Sequence, residues 1–522
     1  MNRIGKNLRS VLDFDLLGYI QSAASRSIFS QERRTVLFAL ATGFIAYYVF
    51  VSQQLLNNHA LRLPWLHPNE QMSSGRWVAP YLGLLHYDAD VPVFLPLLGI
   101  VLAAGAAILA LRTWEIPRAG VGKALAAGLI VAFPAALSHF YYSFMTPLFF
   151  LAWLFAAGAM YVCNRPSVLR ISAGAVLVML TMATYQASLG IVVLIAAGAA
   201  VTGLAKDSGR GDIRPVLQTV LARALATGIG GISYAISLRI LDISPPRSIT
   251  TTSLAEIPGR LMEVATVAFS HLWQTQPDLL WPIKMTLLVF LALGVVVSLW
   301  AVRASPLRLF LVALCWPAMV VATKTVFLFA APDGSIYEYR YNSSLAFLHA
   351  FSFAIVLSFM PGKLPRSLAA AAAAVVLVVF VQADLVRQLV LLRGQQHDLA
   401  IANRILSRIE SMPEIDFSKT YDLVRVGRYS TYRYSLFRSD GDVIDRAGDG
   451  HMDFGEISDR WVDEDVFRLL GTRIKFKFAS TDPGFGSKIQ SVKDTLLEGR
   501  QPWPSSDSVF LSENTIVVYM GE

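Results

Sequence analysis

Glu70, Asp88 and Asp90 are the acids whose surroundings best suit proton transfer. They lie in the segment 53–90, Asp88 and Asp90 at its end, which also holds Asn57-Asn58-His59, Trp65, His67 and Gly75-Arg76-Trp77. A carboxylate at a membrane–water boundary can act as a general base. Burial against protein raises its pKa, and a nearby arginine holds it ionised. The competing reading is a solvated loop with interfacial tryptophans, which membrane proteins place there in any case. A second set of charges is cationic. Lys324 lies well inside an apolar run at 309–331, where a charge is costly and usually faces a polar cavity or a partner. Snorkelling to the interface is the alternative. Asp333, Glu338 and Arg340 follow, in Asp-Gly-Ser-Ile-Tyr-Glu-Tyr-Arg-Tyr-Asn. A lysine and an arginine at this boundary suit a lipid phosphate, which sits at that depth and needs paired cations. Arg239, at the end of the run 216–241, could join them.

The elements that must position these residues are long and apolar. Runs at 35–52, 91–111, 123–140, 143–162, 171–186, 187–205, 216–241, 285–302, 309–331, 343–360 and 367–385 are mostly near ~20 residues, the length a helix needs to cross a bilayer. Alternate connections are basic: Arg33-Arg34, Arg112/Arg118/Lys123, Arg165/Arg170, Lys206/Arg210/Arg214, Arg303/Arg308 and Lys363/Arg366. The other connections, 53–90, 139–142, 242–284 and 332–342, hold most of the loop acids and aromatics. The positive-inside rule makes the first set cytoplasmic. The candidate chemistry then faces the other way, and eleven spans leave the C-terminus outside the cytoplasm. Two places admit another division: 171–205, which could be miscounted at Tyr185-Gln186, and the run 216–241, which carries Arg223 and Arg239.

Composition agrees. The 522-residue chain is 54% hydrophobic and 16% charged, a balance that excludes an ordinary soluble enzyme. Its net charge of +8 comes from short loops where insertion requires basic residues, with no basic stripe for nucleic acid. Cys163 and Cys315 are placed too far apart to pair, and no zinc spacing exists. The first 34 residues lack the apolar core of a cleavable signal. Ile4, Leu8, Val11, Leu12 and Leu16 keep helical spacing there, which predicts an amphipathic helix on the cytoplasmic membrane face or packed against the bundle.

Three segments follow: an amphipathic 1–34, a membrane portion at 35–385, and a more charged tail at 386–522 large enough for a small domain. In the tail, Leu399, Ala402, Ile405, Leu406, Ile409 and Met412 keep a helical period, as do Ile457, Trp461, Phe467 and Leu470. Ile474, Phe476 and Phe478 alternate as a strand, and 515–520 reads as a terminal strand. An α/β domain on the outer face is expected. His59, His67, His86, His139 and His271 show no metal-ligand spacing, and Asp445, Asp449, Asp453 and Glu456 do not fit an EF-hand. No phosphate-cradling glycine loop argues for a nucleotide-driven motor, and no metal or other cofactor is expected.

An ordered set of short motifs carries a resemblance. It runs from Gly75-Arg76-Trp77 through Pro134 and Tyr141-Tyr142 to Tyr185-Gln186-Ala187-Ser188 at a helix end. Arg340 then precedes a late span, and the tail closes with Trp503-Pro504, Ser508-Val509 and Ile516-Val517-Val518. The chain resembles the bacterial O-antigen glucosyltransferases of the serotype-converting, glucosyltransferase II kind, within the C-type (GT-C) membrane glycosyltransferases. Each motif is short; their order carries the weight.

The resemblance implies a polytopic α-helical membrane protein in the bacterial inner membrane, GT-C-like, with a small C-terminal α/β periplasmic domain. The donor would be a sugar, usually glucose, on a polyprenyl phosphate. The acceptor would be a surface glycan such as lipopolysaccharide O-antigen. Membrane lipids would be the remaining partners, and nucleic acid would not be one. On this reading Arg76, Lys324, Arg340 and Arg239 would hold the donor phosphate, and Trp77, Tyr185, Gln186, Glu338 and His59 would contact substrate. Family members commonly carry an Asp-Asp pair early in the first outer loop; here that stretch reads Asn57-Asn58-His59, and a further family aspartate appears as Met145. Either Glu70, Asp88 or Asp90 then serves as base, or this member has diverged in substrate or lost activity. Transfer would be a single displacement with inversion, the phosphate leaving already ionised and stabilised by cations. A lipid-linked-glycan flippase or an O-antigen polymerase is the alternative; a flippase would favour internal repeats and broken helices near the midplane, and no repeat is visible.

Overall fold

The computed structural model describes residues 32–55, 71–72, 74–83, 91–116, 120–206, 212–243, 257–274, 279–328, 339–427, 463–477 and 484–521. The amphipathic N-terminal segment, His59, Glu70, Asp88, Asp90, Glu338, Ile457, Trp461 and Phe478 lie outside these residues.

The first part of the chain is a helical bundle. In order come α1 (Arg33–Ala46), α2 (Tyr48–Ser52), α3 (Ala79–Gly83), α4 (Phe94–Thr113), α5 (Val121–Val131), α6 (Leu137–Phe140), α7 (Thr146–Val162) and α8 (Val168–Thr184). Then follow α9 (Leu189–Lys206), α10 (Arg214–Ile240), α11 (Ile257–Gln274), α12 (Trp281–Val302), α13 (Pro306–Ala322), α14 (Leu345–Phe359) and α15 (Lys363–Glu410). Prolines sit in the first turn of α7, α10, α12 and α13, where no intrahelical N–H bond is lost. Ser167 caps α8 by accepting the Arg170 backbone N–H.

Among the described residues, seven helical stretches are long and apolar enough to cross a membrane by length and composition. The expected runs at 171–186, 309–331 and 343–360 are met by the shorter apolar helices α8, α13 and α14. The run at 35–52 is met by α1 and α2, which meet at Tyr47. The chain is a polytopic helical membrane protein.

Small residues set the close approaches. A Cβ on Gly190 would stand 2.3 Å from the Ala322 carbonyl oxygen, so α9 can start against the end of α13 only without a side chain there. Two arginines are buried at the basic end of the bundle. Arg308 donates to the carbonyls of Leu204 (3.0 Å) and Asp212 (3.3 Å), so it satisfies a carbonyl in the last turn of α9. Arg223 of α10 donates to the Asn164 side chain at 2.6 Å. The charge in the run 216–241 is therefore held by polar partners inside the protein.

Two expectations change here. The connection 242–284 contains α11, an amphipathic helix that buries Val264, Ala268 and His271. Arg260 and Glu263 dilute its hydropathy, so an apolar-run search passes over it. The boundary placed at 385 falls inside α15, which continues unbroken to Glu410. The composition changes there because the helix leaves one set of neighbours for another.

The tail forms a four-stranded sheet with order β2-β1-β4-β3. Its strands are β1 (Thr420–Val426), β2 (Lys475–Lys477), β3 (Val509–Ser512) and β4 (Thr515–Tyr519). β1 is parallel to β2 and β4, and β3 and β4 form an antiparallel hairpin. Two further helices, α16 (Asp463–Leu469) and α17 (Phe485–Thr495), complete it. One face, with Tyr421, Leu423, Ile516 and Val518, packs on Ile401, Ile405 and Ile409 of α15 and on Phe467 of α16. The other, with Val424, Val426 and Val517, packs on Phe485, Ile489 and Val492 of α17. This is a small α/β/α arrangement whose central strand is covered on both faces.

Candidate active site

The helices are interrupted repeatedly, and the interruptions touch one another. α1 gives way to α2 at Tyr47. α5 ends at Val131, and a single 3-10 turn, Pro134–Ala136, leads into α6. α8 ends at Thr184; Tyr185 is extended, and the turn Gln186–Ser188 leads into α9. α13 ends at Ala322 before the turn Thr325–Leu328, and the turn Tyr339–Asn342 precedes α14. The Gln186–Ser188 turn packs on Thr325–Leu328, and Pro134–Ala136 packs on Tyr339–Asn342. The Tyr47 ring stacks on Phe140, with centroids 4.0 Å apart. Backbone leaving regular helix exposes polar groups, which a membrane protein tolerates only where they are buried in protein or line a polar cavity. This layer is therefore where chemistry is possible.

One side of the layer is built on the loop before α3. Gly75 has φ +77°, and a Cβ there would stand 2.6 Å from the Tyr234 hydroxyl and 3.0 Å from Gln186 Nε2. The glycine lets the loop lie against both. Gln186 Nε2 donates to the Ser74 carbonyl (2.8 Å) and to the Tyr234 hydroxyl (2.9 Å), and that hydroxyl donates to the Gly75 carbonyl (3.2 Å). Trp77 Nε1 donates to Ser237 Oγ at 3.0 Å. Arg76 lies with its guanidinium 5.2 Å from the centre of the Tyr185 ring and donates to Gln71 Oε1 at 3.3 Å. Its Nε is buried and has no hydrogen-bond partner among the described residues. Phe149 and His139 flank the Tyr185 ring at 4.7 and 5.9 Å. Met145 lies in the same cluster, buried with Phe144, Phe149 and Tyr185.

The other side is built on Lys324. It is not in a helix: α13 has ended, and Lys324 stands in the turn before Thr325–Leu328. The expected span runs through Lys324 because Val-Phe-Leu-Phe continues the apolar run, and hydropathy does not register the break. Lys324 is 1% exposed and donates to Asn342 Oδ1 at 2.7 Å. It points into protein instead of snorkelling. Asn342 also hydrogen-bonds His271, which α11 delivers. Tyr341 packs against the Phe327 ring (5.3 Å) and against the Tyr185 cluster, so it joins the two sides.

The structure thus brings together Arg76, Trp77, Tyr185 and Gln186, and places Lys324 one turn-to-turn contact away. Arg340 falls in the turn Tyr339–Asn342. Arg239 is not part of the cluster. It is exposed on α10, the helix that supplies Tyr234 and Ser237.

A buried polar trio went unnoticed in the sequence. Asp384, Arg387 and Gln388 of α15 are all nearly fully buried. Gln388 accepts from the Phe50 backbone N–H (3.2 Å) and donates to the Ala46 carbonyl (2.6 Å), closing the break between α1 and α2. Arg387 donates to the Pro134 carbonyl at 3.3 Å, at the break after α5. Both carboxylate oxygens of Asp384 are buried without a hydrogen-bond partner among the described residues. The signal was available: three polar residues at i, i+3 and i+4 share one helix face at the end of an apolar run.

The arrangement defines a class: a polytopic membrane protein with cations and aromatic rings gathered where its helices break at one end. Aromatic faces suit a sugar ring, and buried or half-buried cations suit a phosphate. A protein-family model for Glucosyl transferase GtrII matches residues 59–381, more than half of the chain. The chain belongs to this glucosyltransferase family and is a glycosyltransferase. The matched segment includes the Gly75-Arg76-Trp77 loop, the Tyr185-Gln186 break and Lys324, and stops before the sheet. Comparison with curated proteins and with solved structures gave no match.

Proposed function

We propose that the protein transfers glucose from a polyprenyl-phosphate-linked donor to a surface glycan such as O-antigen, on the periplasmic face of the bacterial inner membrane. The observation that carries this reading is the layer of helix breaks. Arg76 lies over Tyr185 and Lys324 is buried alongside, both inside the family-matched segment. A donor phosphate sits near the membrane boundary, and the proposed phosphate ligands are Arg76, Lys324 and Arg340. Arg239 lies farther out and would act, if at all, by steering. Trp77, Tyr185 and Gln186 face the sugar, and His59 and Glu338 are proposed as further substrate contacts.

The base is one of Glu70, Asp88 and Asp90, with Glu70 preferred because Arg76 follows it closely in the same loop. It takes the proton of the acceptor hydroxyl as that oxygen bonds to the anomeric carbon. The bond from that carbon to the phosphate oxygen breaks, and the phosphate leaves as an anion needing no proton. The cations stabilise that charge, and one displacement inverts the anomeric centre.

Topology supports the same reading. Eleven spans with a cytoplasmic N-terminus put every helix break of the layer, and the segment 386–522, on the periplasmic side. Two experiments test this. Ser439→Cys in intact cells should react with an impermeant thiol reagent; labelling only after lysis would overturn the orientation. Purified protein given synthetic polyprenyl-phosphate glucose and a defined glycan should form an inverted linkage by NMR. No transfer from any polyprenyl-phosphate sugar would bring the flippase reading forward.

A further inference from the structure

The bundle has a second polar site at its other end. α8 begins beside Arg170 and ends at Tyr185, so about 22 Å of helix rise separates the two. At the Arg170 end the first connections of the bundle enclose a cavity of about 620 Å³, lined by Glu32, Arg112, Lys123, Asn164, Arg165 and Arg170 among others. That volume is in the range of small-ligand sites, roughly 300–1,000 Å³.

Its charges are layered. On the floor, Glu32 is shared between Lys123 (3.2 Å) and Arg112 (3.6 Å), three side chains that are each less than a fifth exposed. Glu115, also in the lining, is paired with Lys206 at 3.1 Å. At the rim Arg165 and Arg170 are exposed, and neither has an acidic partner among the described residues. Arg170 touches only neutral acceptors, such as the Arg165 carbonyl. Four cations thus line the cavity against two acids, and the surplus lies at the rim with its guanidinium groups available. Beside the rim, Val168 and Leu169 are 83% and 80% exposed, an apolar pair at the start of α8.

We infer that this cavity binds a phosphate-bearing anion and that its source is an anionic phospholipid headgroup. The polar volume takes the headgroup, Arg165 and Arg170 pair with the phosphate, and Val168 and Leu169 lie along the acyl chains. Basic pockets between helices at a bilayer surface recognise lipid headgroups in this way. A free inorganic phosphate would use the same two arginines but not the apolar pair. The site is separate from the one proposed for sugar transfer and does not depend on it.

The test uses the full chain, purified and reconstituted in nanodiscs. Native mass spectrometry would compare retention of phosphatidylglycerol with that of zwitterionic phosphatidylcholine, for wild type and for Arg165→Gln/Arg170→Gln. Both changes are at exposed positions, so folding should persist. Wild type should retain phosphatidylglycerol preferentially, and the double variant should lose roughly fivefold in affinity per arginine removed. In phosphatidylcholine nanodiscs, millimolar inorganic phosphate should not raise the melting temperature of either protein. A rise in wild type alone, without phosphatidylglycerol preference, would overturn the lipid source while leaving an anion site. Equal retention and equal melting in wild type and variant would overturn the site.

Discussion

The two ends of the bundle use buried cations differently. At the basic end, Arg308 and Arg223 are held by carbonyl and amide oxygens of neighbouring segments. At the other end, Arg76 has one weak glutamine contact, an aromatic ring beneath it and a buried Nε that no described residue meets. Lys324 is 1% exposed and donates to the side-chain amide oxygen of Asn342. An arginine that closes a helix needs oxygens already in the fold. A charged side chain buried within a membrane protein is costly to keep, and such residues are usually functional. The contrast sets the arginines bonded to chain oxygens at the basic end apart from Arg76 and Lys324, the cations proposed to meet a ligand.

The largest effect should come from the base. Glu70→Gln keeps shape and removes basicity, so transfer should fall by ~10²-fold or more with expression unchanged. Near-normal activity in this variant would move the role to Asp88 or Asp90. Next is the structural side of the contrast. Arg308→Leu removes charge-assisted bonds worth about 1.5–3 kcal/mol each and leaves the Leu204 carbonyl buried without its partner. Thermal unfolding in detergent should show clear destabilisation, while the donor KM of the protein that remains folded should not move. A shifted donor KM at wild-type stability would erase the distinction between the two ends. Smaller again is Trp77→Phe, which keeps a smaller aromatic face and deletes the bond to Ser237. It should cost about 1 kcal/mol, read as a several-fold loss in kcat/KM. Arg239→Gln should change donor use by less than about twofold, because the exposed side chain lies outside the cluster. A tenfold effect would enlarge the site to include it.

Much of the bundle was legible because a spanning helix must be apolar over its whole length, and the expected runs fall on helices. The break at Tyr185-Gln186 was legible for a related reason: two polar side chains interrupt a stretch too long for one span. The burial of Lys324 was legible from its place in an apolar run, but its setting in a turn was not, since apolar residues continue past the end of α13 and composition does not record a turn. α11 escaped because its apolar face alternates with Arg260 and Glu263, and its burial depends on Phe327 and Val321 from far along the chain. Asp384, Arg387 and Gln388 look like the start of a soluble tail when read linearly. Their meaning comes from Phe50, Ala46 and Pro134, some 250 to 340 residues away. In the tail, β2 and β4 were readable from alternation or an apolar run. β1 was not, because Asp422 and Arg425 interrupt it; Asp422 is reconciled by ion pairs to Lys477 and Lys488.

The central claim is that Arg76 and Lys324, gathered in the helix-break layer, hold the donor phosphate. The most direct measurement is the apparent donor KM of Lys324→Met, with polyprenyl-phosphate glucose as substrate and a saturating glycan acceptor. A desolvated charge-assisted contact is worth roughly 1.5–3 kcal/mol, so the donor KM should rise by about 10–100-fold, with acceptor KM and thermal stability close to wild type. An unchanged donor KM in folded Lys324→Met protein would contradict the account and leave Lys324 as an internal strut bonded to Asn342.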